Sequence, residues 1–447
     1  MKISRFIICA ECDDDDNLYL IYNTRTTAFI TLDKENYEKI FLNKNFSDSA
    51  TIEPLKEMGF ILDEDFDELQ ALEDIRKNGM EDPVQNVTIL TTTECNARCY
   101  YCFENGIKQY PMTIDVADAV IEFIKANYPE PNFAINWFGG EPLLNFDIIK
   151  YITKKLKQCG YSIISHITTN GSLLTKEMLE YFLNEYEDLS FQITIDEVGD
   201  KYAKIKNYID IDRSLAYKRV IDNVAMLLDN KVTTNVRLNF AASQIERAKE
   251  IYVEILKSLD GHDLSSLYLY FAPLTLDSKK EIISNFHGDI EHPFLQVVKT
   301  QMKQGFPLYK PRYDGEMGMI GAFGLMPNAF SCGMTTKNRF SIDADGTLYK
   351  CHRLSGKKEY SCGNVFTGID KNCSVYKMFR NTAITDEECK KCNILPICQA
   401  GCKSQRILYG NEQKCHRIKQ IQSQLVNLYY KEVCKTMEGG ENNESDS

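Results

Sequence analysis

The sequence predicts an α/β protein whose centre is a parallel sheet covered by helices, preceded by a small α+β module and followed by a cysteine-rich region. Three observations carry this. From about Val84 to Leu276 the strand patterns NVTILTT, FAINWF, IISHITT, LSFQITI, TTNVRLNF and LYLYFAP alternate with helical stretches near 113–127, 146–158, 175–186, 217–230 and 243–258. Six such repeats imply parallel pairing with outer helices. The first eighty residues instead hold three short alternating segments and then helical patches, and beyond about Phe330 cysteines recur at short spacings.

A chain of 447 residues exceeds what one core usually covers, so two or three domains are expected. Its 52 Lys and Arg against 64 Asp and Glu leave a formal net charge of −12, which argues against a nucleic-acid partner held through phosphate contacts. The start, MKISRFIICAECDDDD, has too short an apolar run for a signal peptide, and no stretch approaches the length of a membrane span. The expectation is a cytoplasmic protein with no membrane partner, whose sixteen cysteines serve metal rather than disulfides.

In chain order, ISRFIIC, NLYLIYN and TAFITL read as strands, with the acidic run Asp13–Asp16 in a turn. DKENYEKIFLN and ATIEPLKEMG read as helices, and an acidic helix follows from Asp65 to about Asn78. Residues 1–80 are thus expected to form a winged-helix-like module. Its size and position resemble the precursor-recognition domain that many peptide-modifying enzymes carry, which would take a leader peptide as an added strand on an open sheet edge. Cys9 and Cys12 are too few for a metal site.

After the first strand of the central sheet, Thr91–Glu104 reads TTTECNARCYYCFE and places Cys95, Cys99 and Cys102 on one short loop. Three thiolates there can each take one iron of a [4Fe-4S] cubane and leave the fourth iron open to a small molecule. A zinc site would draw its fourth ligand from a second pair of Cys or His, and zinc or unliganded thiols stay as alternatives. The Cys-x3-Cys-x2-Cys spacing, with the aromatic Tyr101 before the last cysteine, resembles the signature of the radical S-adenosylmethionine (SAM) superfamily. That resemblance implies a partial (βα)6 TIM-like barrel over 81–276, SAM chelated to the open iron, and its reductive cleavage to a 5′-deoxyadenosyl radical.

The other motifs fall after successive strands, where barrel enzymes keep their chemistry. Gly139-Gly140-Glu141-Pro142 resembles the GGEP motif that holds the SAM amino group, and Thr169-Asn170-Gly171 matches the position that contacts the ribose and carboxylate. Asp196 ends the fourth strand, and Arg237 and Asn239 lie in the fifth, where the family often places a polar or basic SAM contact. One stretch departs from the family: DEVGDKYAKIK stands where many relatives read Asp-Gly-Pro. Trp137, the only tryptophan, is expected in the core.

After a connecting region, 277–330, the cysteines run Cys332, Gly346-x4-Cys351, Cys389-x2-Cys392-x5-Cys398-x3-Cys402 and Cys415. A zinc ribbon is the alternative for 389–402, but the whole series resembles the SPASM extension, which holds auxiliary iron–sulfur clusters and would occupy 331–437. The resemblance assigns Cys332, Cys351 and Cys402 to auxiliary cluster I, and Cys389, Cys392, Cys398 and Cys415 to cluster II. Cluster I then lacks one protein ligand, so Cys362 or Cys373 closes it or a substrate thiolate does. The tail 438–447 is polar and expected to be disordered.

Together these resemblances imply three [4Fe-4S] clusters and SAM, in an enzyme that abstracts hydrogen from a ribosomally made precursor peptide bearing a leader. The product would be a cross-link, first a cysteine thioether, second a carbon–carbon or ether bond; flavodoxin or ferredoxin would supply electrons. A sulfatase-maturing (formylglycine-generating) enzyme and a non-enzymatic cluster-bearing protein are the alternatives.

Overall fold

The computed structural model describes residues 1–81, 85–241, 244–274, 295, 296, 298, 299, 320, 323–330, 332–410 and 417–441. The chain forms two compact units, each discontinuous in sequence: Glu81–Ile282 with Gly333–Asn381, and Met1–Met80 with Ile283–Cys332 and Thr382–Ser447. The stretch 331–437, expected as one domain, is divided between them.

The small sheet of the N-terminal region comprises β1 (Ile7–Cys12), β2 (Asp15–Asn23) and β3 (Phe29–Asp33), antiparallel with β2 in the middle. Side chains alternate across a strand, and β2 uses both faces. Ile21 packs with Ile40, Phe41, Ile52, Leu55 and Phe60 of the helical segments that follow. Leu20 and Tyr22 pack the other way, in one core with Ile394, Ile397, Leu425, Val426 and Tyr429. Residues 1–80 therefore share a core with the C-terminal part of their unit. The last helix, Gln422–Glu441, continues into the tail expected to be disordered, and 442–447 lie outside the described residues.

In the other unit, β4 (Asn86–Thr92), β5 (Asn132–Gly139), β6 (Ser162–Thr169), β7 (Asp188–Thr194), β8 (Thr233–Phe240) and β9 (Leu267–Pro273) pair in parallel. Two short strands, β10 (Ser341–Ile342) and β11 (Leu348–Tyr349), extend the β4 edge, giving an eight-stranded, mostly parallel sheet in the order β9-β8-β7-β6-β5-β4-β10-β11. Helices cover the crossovers, as continuous burial along β4 requires. Thr113 and Thr175 cap two of them, their hydroxyls accepting from the Val116 and Met178 N–H groups. On Phe146–Gln158 the buried Ile148, Ile149, Ile152 and Leu156 recur at helical spacing and form the inner face. Trp137 is fully buried. The register pairs Thr92 with Gly139, Thr169 with Ile193 and Thr194 with Arg237, so the loops that follow these residues leave the sheet at one end.

Candidate functional site

At that end the three motif loops are stitched together. Gly139 has φ 132° and a Cβ on it would collide with the Thr92 carbonyl, while one on Gly140 would collide with the carbonyl of Glu94. Only glycine permits this approach, and it brings the Gly140 N–H to Thr92 O at 3.1 Å and the Glu141 N–H to Glu94 O at 2.8 Å, just before Cys95.

Glu141 is fully buried. Its Oε1 accepts from the Leu143 N–H at 3.1 Å and the Thr169 hydroxyl at 2.7 Å, and its Oε2 from the Asn170 N–H at 2.8 Å. Burial raises its carboxyl to about 7 against the pull of these three donors, which favour the anion. The carboxylate thus ties the GGEP loop to Thr169 and Asn170, and has one acceptor position left over.

Asn96, which sequence reasoning passed over, ties the cysteine loop to the same place. It accepts from Asn170 Nδ2 at 2.8 Å and donates to Ser172 Oγ at 3.1 Å and to Asp210 Oδ1 at 3.1 Å. Its only signal was its position beside the first motif cysteine.

Tyr101 donates to Asp196 Oδ2, and Lys206 Nζ reaches Asp196 Oδ2 at 2.8 Å and the Tyr101 hydroxyl at 3.1 Å. The Lys206 and Asp196 side chains are each 2% exposed. Burial works against the ammonium, yet Asp196 and Tyr101 raise its pKa well above the usual value. The Lys206 carbonyl also accepts from the Arg98 N–H at 2.7 Å, between the motif cysteines. Lys206 ends a helix, Gly199–Lys206, absent from the sequence-based expectation, in the stretch that departs from the family's pattern. Asp196 Oδ1 accepts from the Asn239 N–H at 3.3 Å, and Arg237 donates from Nε to Asn239 Oδ1 at 2.9 Å. Tyr101, Asp196, Arg237 and Asn239 are thereby one network, with Lys206 as its buried cation.

Every described cysteine is a thiol rather than half of a disulfide. Burial pushes Cys95 up to about 12 and Cys102 up to about 11, each further raised by its neighbouring thiols. Thiolates crowded there need a cation among them, which a metal centre supplies; the donor set fits a three-thiol cluster. Among the described residues no three His, Cys, Asp or Glu side chains converge tightly enough to hold a metal ion as they stand. His352, unassigned from sequence, packs 4.8 Å from the Phe138 ring and 6.1 Å from Phe103, next to the triad loop. Burial lowers it to about 4.

Cys351, Cys362 and Cys373 belong to the unit of the sheet, whereas Cys332, Cys389, Cys392, Cys398 and Cys402 belong to the other. Burial pushes Cys362 up to about 12, and the neighbouring Cys373 thiol raises it further. In the second unit Arg406 Nη2 lies 3.5 Å from Cys389 Sγ. Lys403 is pushed down to about 8 by burial and then by the charges of Arg76 and Arg406. Cys415 lies outside the described residues.

Residues 89–240, from inside β4 to the end of β8, match the radical SAM superfamily. The chain carries a radical SAM domain, which implies a [4Fe-4S] cluster and SAM, and it is an enzyme. It is 22% identical over 455 residues to the radical SAM cyclopropyl synthase TigE of Paramaledivibacter caminithermalis, covering 93% of this chain and 90% of that protein. It is 24% identical over 345 residues to the cysteine-type anaerobic sulfatase-maturating enzyme of Clostridium novyi, covering 70% and 86%. Native anSMEcpe with bound AdoMet matches with a TM-score of 0.57 at 16% identity, over 80% of this chain and 99% of that one. Streptococcus suis SuiB bound to precursor peptide SuiA matches with a TM-score of 0.52 at 15% identity, over 93% and 98%. At such identities the structural likeness establishes a shared fold. No helix among the described residues is long and apolar enough to cross a membrane.

Proposed function

We propose that this enzyme modifies a ribosomally made precursor peptide, installing a cross-link for which a cysteine thioether is the first assignment. The observation that carries the reading is the meeting of the cysteine, GGEP and TNG loops at one end of the sheet, tied by Glu141 and Asn96. Cys95, Cys99 and Cys102 would hold the cluster. When bound, the cluster and SAM supply one-electron cleavage and hydrogen abstraction. The chain's own residues do the positioning. Gly139 and Gly140 leave backbone open to the amino end of SAM, and the remaining acceptor position of Glu141 suits an ammonium. Thr169 and Asn170 lie beside it for the ribose and carboxylate, while Tyr101, Asp196 and Arg237 form the polar wall.

Two auxiliary clusters complete the reading: cluster I, with a position for a substrate thiolate, and cluster II on Cys389, Cys392, Cys398 and Cys415. Orienting the thiol beside the reacting carbon is what such a position would contribute. Among the described residues β3 pairs only with β2, so its outer edge can accept a leader peptide as a further strand. SuiB, solved with its precursor peptide, supports a peptide substrate. The setting is cytoplasmic, with flavodoxin or ferredoxin as reductant.

The test is turnover of a short cysteine-bearing peptide encoded beside the gene. A thioether removes two hydrogens and blocks alkylation of one thiol, whereas a carbon–carbon or ether bond removes two hydrogens and leaves the thiol reactive. The cyclopropyl chemistry named for TigE favours that second outcome as the runner-up. The likeness to the sulfatase-maturating enzyme favours a third, formylglycine, visible as an aldehyde. An unmodified peptide with SAM consumed would overturn the precursor assignment.

A further inference from the structure

Between Cys398 and Cys402 three consecutive residues adopt left-handed backbone: Gln399 at φ 53°, Ala400 at 62° and Gly401 at 79°. Two of them carry a Cβ, and such residues hold this conformation only where their surroundings impose it. Two arginines impose it. Arg76, in the helix Glu68–Glu81, donates from Nη1 to the Gln399 carbonyl at 3.2 Å and to Gln399 Oε1 at 3.1 Å, and from Nε to the Thr382 carbonyl at 2.9 Å. Arg406 donates to the Ala400 carbonyl from Nε at 3.0 Å and from Nη2 at 2.8 Å.

Arg76 is 2% exposed. Burial lowers its pKa, and Glu73 and then the thiols of Cys389 and Cys398 counter that; Cys389 and Cys392 pack against the apolar cluster that holds Leu72, one turn before Arg76 on the same helix. Two nearby carboxylates are engaged: Glu73 Oε1 accepts from the Ile384 N–H at 2.8 Å, and Asp386 pairs with Arg406 at 3.4 Å. Further contacts hold residues 1–80 against the same segment. Thr24 Oγ1 donates to the Asn393 carbonyl at 2.6 Å, Asn393 Nδ2 donates to the Ile7 carbonyl at 3.0 Å, and Phe6 and Leu72 pack with Ile384 and Leu395.

We propose that Arg76 is a positioning residue of the Cys389–Cys402 site: it fixes the left-handed turn that separates Cys398 from Cys402, and it sets the charge beside Cys389 and Cys398. The N-terminal module is then a wall of this site as well as a peptide-binding element. This rests on reading Cys389, Cys392 and Cys398 as iron–sulfur ligands. A cluster gains negative charge when it takes an electron, and a fixed, desolvated cation favours that reduced form. Lysine keeps the charge but not the planar fork that reaches the Gln399 and Thr382 carbonyls together.

The experiment compares full-length, anaerobically reconstituted wild type, Arg76→Met and Arg76→Lys by metal analysis, redox titration followed by electron paramagnetic resonance, and iron release to a chelator. Arg76→Met should move the midpoint of one auxiliary signal to more negative potential by at least the tenfold change in oxidised-to-reduced ratio that equals about 59 mV for one electron. The SAM-cluster signal should stay in place. Arg76→Lys should hold the midpoint nearer wild type yet release iron from that auxiliary site several-fold faster. Should Arg76→Met not fold, the chelator rate of Arg76→Lys decides. Midpoints and release rates equal to wild type would overturn the role of Arg76. A wild-type protein carrying zinc, or a single cluster in all, would overturn the cluster reading instead.

Discussion

Replacing Lys206 by methionine removes the cation from a pair in which both side chains are only 2% exposed and Nζ stands 2.8 Å from Asp196 Oδ2. Methionine fills much of the same volume, so the loss is chiefly that of charge. Asp196 would keep the Tyr101 hydroxyl and the Asn239 N–H as donors, but its negative charge would be buried without a counter-ion. Breaking a buried pair in this way costs about 3–5 kcal/mol. For a unit of this size that corresponds to a fall of about 10 °C in melting temperature. An exposed pair, Lys176 with Glu180 at 79% and 61% side-chain exposure, provides the control; Lys176→Met should change stability by roughly 0.5 kcal/mol or less. The assay is circular-dichroism melting at a fixed scan rate on Lys206→Met, Asp196→Asn and the double variant. The double variant, with neither charge, should regain most of the loss. Lys206→Met melting like the Lys176→Met control, or a double variant no more stable than Lys206→Met, would show that the buried charge of Asp196 does not need Lys206.

Gly140→Ala should cost roughly 1–3 kcal/mol by forcing a Cβ against the Glu94 carbonyl, and SAM binding measured by calorimetry should be lost while the far-ultraviolet spectrum is retained. Glu141, raised to about 7 in the folded chain, contributes stability that is complete below its unfolded pKa near 4.5 and is lost as pH rises through about 7. Melting temperature should therefore fall between about pH 4.5 and about 7 in wild type and level off above that, and Glu141→Gln should flatten that slope; a parallel slope in both proteins would contradict it. Deleting residues 1–80 strips Leu20 and Tyr22 from Leu425, Val426 and Tyr429. Amides of the helix Gln422–Glu441 should then exchange faster, and unchanged protection would show that the shared core is dispensable.

The strands of the central sheet were legible because short runs rich in β-branched and aromatic residues recur between helical patterns, and NVTILTT, TTNVRLNF and LYLYFAP coincide with β4, β8 and β9. The N-terminal sheet was legible as strands. Its context was not: alternation says that Ile21 and Leu20 face opposite ways, but not that residues from 394–429 cover the second face. The helix Gly199–Lys206 escaped because GDKYAKIK is short and mostly polar. Glu141 was visible in its motif, whereas its use as a stitch between two loops depends on Thr169 and Asn170 arriving from another strand. The left-handed Gln399 and Ala400 carry no sequence signal, since neither is the residue type that favours that backbone.

SAM cleavage is assigned to the loop bearing Cys95, Cys99 and Cys102. It is tested most directly by incubating anaerobically reconstituted protein with SAM and dithionite and measuring 5′-deoxyadenosine by liquid chromatography. The wild-type enzyme should form it without any peptide present, and the variant with alanine at all three cysteines should form none while keeping its auxiliary iron. 5′-Deoxyadenosine from the triple variant at the wild-type rate, or none from a wild type replete in iron, would contradict the account.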